Sequence, residues 1–204
     1  MSNAQEYELK LETEPEHALR IQDHPAVAHS GSKQPQTESF TSVYFDTEDL
    51  RLREAGIFLR VRHVGERYIQ TIKVSKGGNV FCRDEWEREI STPWPDLDLA
   101  SETALKRLPK RDLVCGLKPV FETRVQRTTS NVDTNGSVIE LALDRGEIDT
   151  GEKQFPLSEL ELELKEGHPR ELFRLAHELA QCINSPTPCG PEQGRARLCT
   201  HRRW

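Results

Sequence analysis

Long apolar runs are missing from this sequence of 204 residues, of which 35% are hydrophobic and only 6% are aromatic. No stretch is long enough to span a bilayer, and the N-terminus lacks the apolar core of a secretion signal. We therefore expect a soluble, cytoplasmic protein without a membrane partner. At this length the chain can still bury enough apolar surface for one domain with a hydrophobic core.

Paired cysteines and an excess of positive charge are missing as well. The five cysteines are odd in number and show no C-x-x-C spacing, which argues against a disulfide framework and against a zinc site. The net charge is −6, so the protein has no overall basic field that would attract nucleic acid. We expect no nucleic-acid partner, although a locally basic lining can still bind an anion.

The N-terminal segment contains the pattern E-x-E-x-K, formed by Glu6, Glu8 and Lys10. Side chains alternate between the two faces of a strand, so these three point one way while their apolar neighbours point the other way. Two carboxylates at this spacing repel each other unless a cation lies with them. The pattern therefore suggests a divalent metal ion with a lysine beside it, although a single solvated strand face would look the same.

The same alternation of charged and apolar residues recurs on several further segments, at Arg60, Arg62, Lys73, Arg83, Glu85, Glu87, Arg124, Arg127, Glu140, Asp144, Glu159, Glu161 and Glu163. An ordinary solvated face carries many Thr, Ser, Gln and Lys residues, and charges that protect an edge strand occur on one or two strands only. A barrel with this face inward would instead place acids and bases opposite one another. Its basic groups would bind phosphates, and its carboxylates would hold Mg²⁺ or Mn²⁺.

Hydrophobic periodicity predicts an α+β fold with one large antiparallel sheet and a few helices. The predicted strands are Glu6–Glu12, Phe40–Asp46, Gly56–His63, Tyr68–Val74, Phe81–Ile90, Pro119–Thr128, Val138–Leu143 and Phe155–Leu164. The best helix spans Arg170–Ile183, with an apolar stripe that includes Leu172, Phe173, Leu175 and Leu179. Trp86 and Trp94 are expected in the core, and Asn135-Gly136 is expected to form a turn.

Seven short motifs, taken together and in this order, resemble those of one known family. They are E-Y-E-L-K at Glu6–Lys10, Y-F-D-T at Tyr44–Thr47, L-R-V-R at Leu59–Arg62, T-I-K-V at Thr71–Val74, R-D-E-W-E at Arg83–Glu87, I-E-L-A-L-D at Ile139–Asp144 and S-E-L-E-L-E-L at Ser158–Leu164. The chain resembles the triphosphate tunnel metalloenzymes, or CYTH superfamily. Within this family it is similar to bacterial inorganic triphosphatases whose tunnel domain precedes a CHAD domain. The resemblance implies that residues 1–191 form a closed antiparallel eight-stranded tunnel with a charged interior and flanking helices.

The resemblance also implies an enzyme that hydrolyses tripolyphosphate to pyrophosphate and phosphate with Mg²⁺ or Mn²⁺. By resemblance, the metal ligands are Glu6, Glu8, Asp144 and the row Glu159, Glu161 and Glu163, within which the ligating pair stays open. The implied phosphate-binding residues are Lys10, Arg60, Arg62, Lys73, Arg83, Arg127 and, at a position that varies in the family, Arg124. Glu6, Glu8 and Lys10 are the implied catalytic residues, and Glu85, Glu87 and Glu140 would line the rest of the tunnel.

Three other functions remain open on the sequence alone. An adenylate cyclase or a thiamine triphosphatase would use the same fold, and a non-catalytic module would bind polyphosphate without cleaving it. A CHAD domain is expected to follow in the intact protein. The sequence does not determine the oligomeric state.

The C-terminal residues 192–204 depart from the family pattern. Family members end the tunnel with a strand that follows a pattern like S-K-x-x-R-G-Y, whereas this chain reads E-Q-G-R-A-R-L-C-T-H-R-R-W. Back-translation of this tail, with one nucleotide dropped from its first codon, permits S-K-A-E-R-G-Y-A-L-T-G-G. We therefore expect a frame-shifted tail in place of the last tunnel strand, in which Arg195 or Arg197 would partly replace the missing lysine. The alternative is an unrelated polar tail.

Overall fold

The computed structural model describes residues 4–14, 17, 20–21, 24–28, 34–75, 82–99, 103–109, 113, 116–184 and 197–198. Its strands are β1 (Ala4–Glu12), β2 (Gln36–Thr47), β3 (Ile57–Val64), β4 (Arg67–Ser75), β5 (Cys82–Ile90), β6 (Leu117–Thr134), β7 (Ser137–Asp149), β8 (Gln154–Glu166) and β9 (Arg197–Leu198). The helices are α1 (Pro25–Ala28), α2 (Arg51–Glu54) and α3 (Pro169–Asn184), and Ala104–Arg107 forms a 3₁₀ turn.

One sheet contains these strands in the order β5-β4-β3-β2-β6-β7-β8-β1-β9, and β5 additionally pairs with β1. The pairs β2–β3, β3–β4, β4–β5 and β1–β8 are antiparallel. The predicted combination of an antiparallel sheet with a few helices is therefore confirmed. None of the helices in the described part of the chain combines the length and the hydropathy that crossing a membrane requires.

Several strands are longer than the sequence pattern predicts, most clearly at the hairpin of β6 and β7. Strand β6 has 18 residues and continues to Thr134, although the apolar alternation becomes weak after Thr128. The turn that follows is the predicted one. Asn135 and Gly136 have φ angles of 47° and 74°, a left-handed pair that matches the twist of two antiparallel strands.

The chain divides into two compact units. Unit 1 comprises Met1–Glu6, Ser39–Val125 and Gly146–Pro156, and unit 2 comprises Tyr7–Glu38, Gln126–Arg145 and Leu157–Trp204. Strands β1, β2, β6, β7 and β8 therefore contribute residues to both units.

Unit 1 has a core formed by one face of strands β2 to β5 and by the 3₁₀ turn. Buried residues of this core include Phe45, Leu59 and Ile72, and Trp86 packs against it as predicted. The prediction for Trp94 is wrong, because its side chain is 49% exposed and contacts Phe45 only edge-on, with 5.1 Å between ring centroids. Trp94 lies in a bent segment beside two prolines, where the alternation of a strand does not apply.

Unit 2 buries the apolar faces of β1, β7 and β8 and one side of α3. Its fully buried residues include Ile139, Leu141, Leu160, Leu162, Leu172, Leu175 and Leu179. Each such side chain contributes about 1.5–3 kcal/mol through removal from water. The predicted stripe of α3 is correct except at Phe173, which is 42% exposed. Because the leucines of β1 and β8 face this core, the charged residues between them lie on the opposite face of the strands.

Candidate functional site

The pairing of β1 with β8 brings most of the predicted acidic residues together. Glu8 lies opposite Glu163, Lys10 opposite Glu161, and Glu12 opposite Glu159, while Leu9 and Leu11 pair with Leu162 and Leu160. Residues that are directly opposite in an antiparallel pair share a face. The ladder therefore places five carboxylates and one lysine on a single face, where like charges destabilise the pairing unless cations compensate them.

Lys10 lies at the centre of this acidic face. Its Nζ donates a hydrogen bond to Glu161 Oε1 and lies 3.5 Å from Glu8 Oε1 and 3.8 Å from Glu159 Oε2. Burial alone would lower the pKa of Lys10, but Glu161, Glu8 and Glu159 together raise it above its ordinary value. Lys10 therefore remains a charged ammonium group among three carboxylates.

Arg127 and Asp144 extend the group from β6 and β7. Arg127 donates to both oxygens of Asp144, through Nε at 2.7 Å and through Nη2 at 2.6 Å, and its Nη2 also donates to Glu161 Oε2 at 2.5 Å. Glu161 is thus shared by Lys10 and Arg127. Hereafter the six residues Glu8, Lys10, Arg127, Asp144, Glu159 and Glu161 are called the acidic cluster.

The carboxylates of the acidic cluster differ in their acidity. Burial alone would raise the pKa of Glu161, but Lys10 and Arg127 lower it to about 2. Burial raises the pKa of Asp144 above its ordinary value despite the hydrogen bonds from Arg127. Burial likewise raises the pKa of Glu159 despite Lys10. Glu161 is therefore the firmly ionised member, whereas Asp144 and Glu159 take up protons more readily than ordinary carboxyl groups.

A second ion-pair group of unit 2 contains Glu140 and Glu163. Lys165 Nζ lies 2.7 Å from Glu163 Oε2 and 3.1 Å from Glu140 Oε1. Lys165 was missed in the sequence analysis, although it continues the alternation of Glu159, Glu161 and Glu163 along β8. Glu163 therefore pairs with Lys165, whereas Glu159 and Glu161 pair with Lys10.

Unit 1 carries the predicted basic residues of β3 and β4 on one face. Lys73 lies opposite Glu85, with 3.3 Å between Nζ and Oε2, and Arg60 lies opposite Thr71. Thr71 in turn donates to Glu87 Oε2 at 3.3 Å. Cross-strand partners share a face, so Arg60, Lys73, Glu85 and Glu87 are brought together as the alternation predicted.

Aromatic residues support the arginines of this face, which the sequence analysis missed. The guanidinium carbon of Arg62 lies 4.1 Å from the ring centroid of Phe40. Tyr44 lies opposite Arg60 and stacks on Phe121 with 4.3 Å between centroids. The available signal was that Phe40, Ser42 and Tyr44 alternate along β2, and that Ser42 lies opposite Arg62.

Arg124 has acidic partners that belong to unit 1. Its side chain is 50% exposed and pairs with Glu122 and Glu147 at 2.8 Å and with Asp149 at 3.7 Å. Strands β6 and β7 approach each other closely at Gly146, where a Cβ atom would lie 1.9 Å from the carbonyl oxygen of Arg124 on β6. None of these three acids was predicted as a site residue.

Two predicted site residues are described by their backbones only. Glu6 lies on β1 and Arg83 on β5, where Arg83 pairs with Ser75, but both side chains lie outside the described part of the chain. In the tail, Arg197 and Leu198 pair antiparallel with Glu12 and Leu11, and the other residues of 192–204 lie outside the described ranges.

The acidic cluster has the donor chemistry that a hard divalent cation requires. Carboxylate oxygens are the protein ligands that Mg²⁺ and Mn²⁺ prefer. Within the described residues, however, no three His, Cys, Asp or Glu side chains lie close enough together to hold a metal ion as they stand. The residue types fit a metal, and in the present arrangement the ammonium group of Lys10 compensates their charge.

The family model described as the CYTH domain matches residues 4–187. An inorganic triphosphatase of Haemophilus influenzae is 30% identical over 177 residues, which are 86% of this chain and 49% of that protein. The chain therefore spans about half the length of this curated relative.

Several solved structures have a similar fold at low sequence identity. A candidate adenylyl cyclase of Hippeastrum with a dominant triphosphatase activity gives a TM-score of 0.60 at 18% identity, over 86% of each chain. A candidate adenylate cyclase of Bacillus halodurans gives 0.59 at 17% identity, over 94% of this chain and 97% of that one. The capping enzyme triphosphatase of Mimivirus gives 0.54 at 11% identity, over 88% and 90%. At these identities the likeness concerns the fold.

Proposed function

Because the chain belongs to the CYTH domain family, we propose that it hydrolyses inorganic triphosphate to pyrophosphate and phosphate with Mg²⁺ or Mn²⁺. The observation that carries this proposal is the acidic cluster, in which Lys10 and Arg127 lie among four carboxylates of β1, β7 and β8, two of them buried and two half-buried. Such a mixed group suits a substrate that arrives as a complex of phosphate with a divalent cation. The 30% identity to an inorganic triphosphatase supports this choice of substrate.

The proposed metal ligands are the carboxylates Glu6, Glu8, Asp144, Glu159, Glu161 and Glu163. A divalent cation bound there would neutralise phosphate charge and make a coordinated water more acidic. Within the glutamate row, Glu159 and Glu161 surround Lys10, whereas Glu163 pairs with Lys165. This division favours Glu159 and Glu161 over Glu163 as the ligating pair.

The proposed phosphate-binding residues are Lys10, Arg60, Arg62, Lys73, Arg83, Arg124 and Arg127. Guanidinium groups bind phosphate oxygens through paired hydrogen bonds, and lysine supplies a compact charge. We further propose that the eight long strands close into a tunnel lined by these residues, with Glu85, Glu87 and Glu140 also facing inward. The additional pairing of β5 with β1 supports this closure.

The proposed reaction is an in-line attack of water on the terminal phosphorus. The new P–O bond forms as the bridging P–O bond breaks, and pyrophosphate leaves with the bonding electrons. Lys10 and the arginines donate to the equatorial oxygens, where negative charge is spread in the loose transition state. A carboxylate of the acidic cluster orients the attacking water and accepts its proton.

The test of this function is a substrate panel with the chain as it exists. Phosphate release from tripolyphosphate, ATP and thiamine triphosphate is measured with Mg²⁺ and with Mn²⁺. We expect the highest kcat/KM for tripolyphosphate, because the site is lined by charged groups. A higher kcat/KM for ATP or thiamine triphosphate would contradict this substrate, and cyclic AMP formed from ATP would identify a cyclase. Binding of long polyphosphate without phosphate release would identify a binding module.

The domain boundaries are also proposals. We propose a tunnel domain over residues 1–191, a frame-shifted tail over residues 192–204, and a following CHAD domain in the intact cytoplasmic protein. Arg197 pairs with β1 beside Glu12, but its backbone alone is described, so replacement of the missing lysine stays a proposal. Resequencing of the gene tests the frameshift, and a chain with the tail S-K-A-E-R-G-Y-A-L-T-G-G should hydrolyse tripolyphosphate faster than the chain as written.

A further inference from the structure

The ammonium group of Lys10 lies among carboxylates that are themselves proposed metal ligands. Three carboxylates surround its ammonium group: Glu161 accepts a hydrogen bond, and Glu8 and Glu159 lie at 3.5 and 3.8 Å. Two of these carboxylates come from β8 and one from β1, so the ammonium group links the two strands across the acidic face. The same three carboxylates are among the proposed metal ligands.

We propose that Lys10 is the internal counter-ion of the acidic cluster. Its ammonium group competes with a divalent cation for the same carboxylates until a phosphate group binds the ammonium group and moves it away from them. This inference deepens the proposed function and rests on it for the identity of the phosphate ligand. It predicts that metal and phosphate assist each other's binding. By thermodynamic linkage, the factor by which phosphate tightens metal binding equals the factor by which metal tightens phosphate binding.

Electrostatics requires this competition. If the ammonium group of Lys10 and a divalent cation contacted the same carboxylate oxygens, the two positive charges would lie within a few ångströms of each other. In the partly dehydrated interior of a protein, charges at this separation repel each other strongly. Either the ammonium group moves or the cation binds weakly. Lysine has a flexible stem of four carbons, and the side chain of Lys10 is 21% exposed, so its ammonium group can swing towards a ligand.

Arg127 is held differently and is not expected to move. Its planar guanidinium group donates to both oxygens of Asp144 and to Glu161 at the same time. Bidentate pairs of this kind fix the orientation of the group as well as its position. The acidic cluster thus combines one rigid cation with one that can be displaced.

The first experiment measures the affinity of the full chain for Mn²⁺ alone, by the electron paramagnetic resonance signal of free Mn²⁺. Lys10→Met removes the charge and keeps the apolar stem, and we expect Mn²⁺ to bind at least about tenfold more tightly. Lys10→Arg keeps the charge and should not tighten binding. Lys118→Met is the matched control, because it removes one positive charge from an exposed pair with Glu48 and should leave the affinity unchanged.

The second experiment uses the wild-type chain, so that it remains informative if Lys10→Met does not fold. Mn²⁺ affinity is measured with and without inorganic phosphate, and a protein-free titration accounts for Mn²⁺ bound by phosphate itself. We expect phosphate to tighten Mn²⁺ binding several-fold in the wild-type chain. In a folded Lys10→Met chain the effect should be clearly smaller, because only the direct attraction between cation and phosphate remains.

The possible results separate this inference from the proposed function. The inference is overturned if Lys10→Met binds Mn²⁺ no more tightly than the wild type does. It is also overturned if phosphate leaves the Mn²⁺ affinity of the wild-type chain unchanged. Both conclusions hold even if tripolyphosphate is hydrolysed. Tighter Mn²⁺ binding in Lys10→Met, without hydrolysis of any triphosphate by the wild-type chain, supports the inference and contradicts the proposed function. Absence of Mn²⁺ binding in every variant overturns the inference.

Discussion

Unit 1 and unit 2 both carry acidic and basic side chains on one face of their strands, but their basic side chains have different neighbours. In unit 2, Lys10 and Arg127 are enclosed by the carboxylates Glu8, Asp144, Glu159 and Glu161. In unit 1, Arg60 and Arg62 alternate along β3, Lys73 lies on β4 and pairs with Glu85, and the guanidinium group of Arg62 lies over the ring of Phe40. The same period-two pattern therefore yields two charged surfaces, for which we propose different ligands: a divalent cation in unit 2 and phosphate in unit 1.

The difference lies in how the basic groups are held. In unit 2 the cations are positioned by carboxylates, which a metal ion can also use. In unit 1 the guanidinium group of Arg62 lies over an aromatic ring, a contact that involves no carboxylate. Variants of unit 2 should therefore change metal affinity, and variants of unit 1 should change the KM for triphosphate.

The largest effect is expected for Glu161→Gln in unit 2. Glu161 accepts hydrogen bonds from both Lys10 and Arg127, so its loss removes the one acceptor that the two cations share in the acidic cluster. We expect kcat/KM for tripolyphosphate to fall at least about a hundredfold, because Glu161 is a proposed metal ligand and loss of a group that only orients such ligands already costs up to about a hundredfold. Steady-state phosphate release with Mn²⁺ measures this loss. The control is Glu140→Gln, whose partner is Lys165, and an equal loss in both variants would contradict the special place of Glu161.

The stability of unit 2 should depend on pH through the same residue. The pKa of Glu161 is about 2 in the folded chain, compared with an ordinary value of 4.5. A lowered pKa means that Glu161 stabilises the fold fully above about pH 4.5 and loses this contribution as the pH falls towards 2. Urea unfolding should show a difference in free energy of unfolding between wild type and Glu161→Gln. This difference should be largest near neutral pH and should shrink as the pH falls below about 4.5. A difference independent of pH would contradict the assignment.

A smaller effect is expected for Arg62→Met in unit 1. The change removes a charged donor proposed to bind phosphate, so KM should rise about tenfold. Mn²⁺ affinity without substrate should stay as in the wild type, because the carboxylates of the acidic cluster are untouched. Steady-state kinetics and Mn²⁺ titration of the same preparation provide both values. A changed Mn²⁺ affinity with an unchanged KM would reverse the comparison between the units.

The smallest effect is expected for Phe40→Leu, which keeps the bulk of the side chain and removes the ring beneath Arg62. A cation–π contact contributes about 1 kcal/mol, so KM should rise about fivefold with little change in kcat. Phe40→Tyr should restore the wild-type value. In an Arg62→Met background, Phe40→Leu should have no further effect on KM, and an additive effect would show that Phe40 acts through packing alone.

The sequence predicted which face of a strand carries each site residue better than it predicted which residues of other strands lie opposite. Alternation along single strands was sufficient to place Glu8 and Lys10 on the same face of β1, and Glu159 and Glu161 on the same face of β8. The pairing of Lys10 with Glu161 depends on the register between β1 and β8, which lie far apart in the chain, and local periodicity does not encode a register.

The predictions that failed or were missing depend on tertiary contacts. Trp94 is exposed because its segment is bent rather than extended, and the support of Arg62 by Phe40 needs the pairing of β2 with β3. The partners of Arg124 include Glu147 and Asp149, which lie beyond the close approach at Gly146. No pattern within a single strand carries these contacts.

The most direct test of the central claim is the dependence of tripolyphosphate hydrolysis on added divalent cation. Phosphate release by the wild-type chain is followed while Mg²⁺ or Mn²⁺ is titrated, then removed with a chelator and added back. If the acidic cluster serves a metal-assisted triphosphatase, release rises with the cation, stops with the chelator and returns with the cation. Release that is unaffected by the chelator, or no release at any cation concentration, would contradict this account.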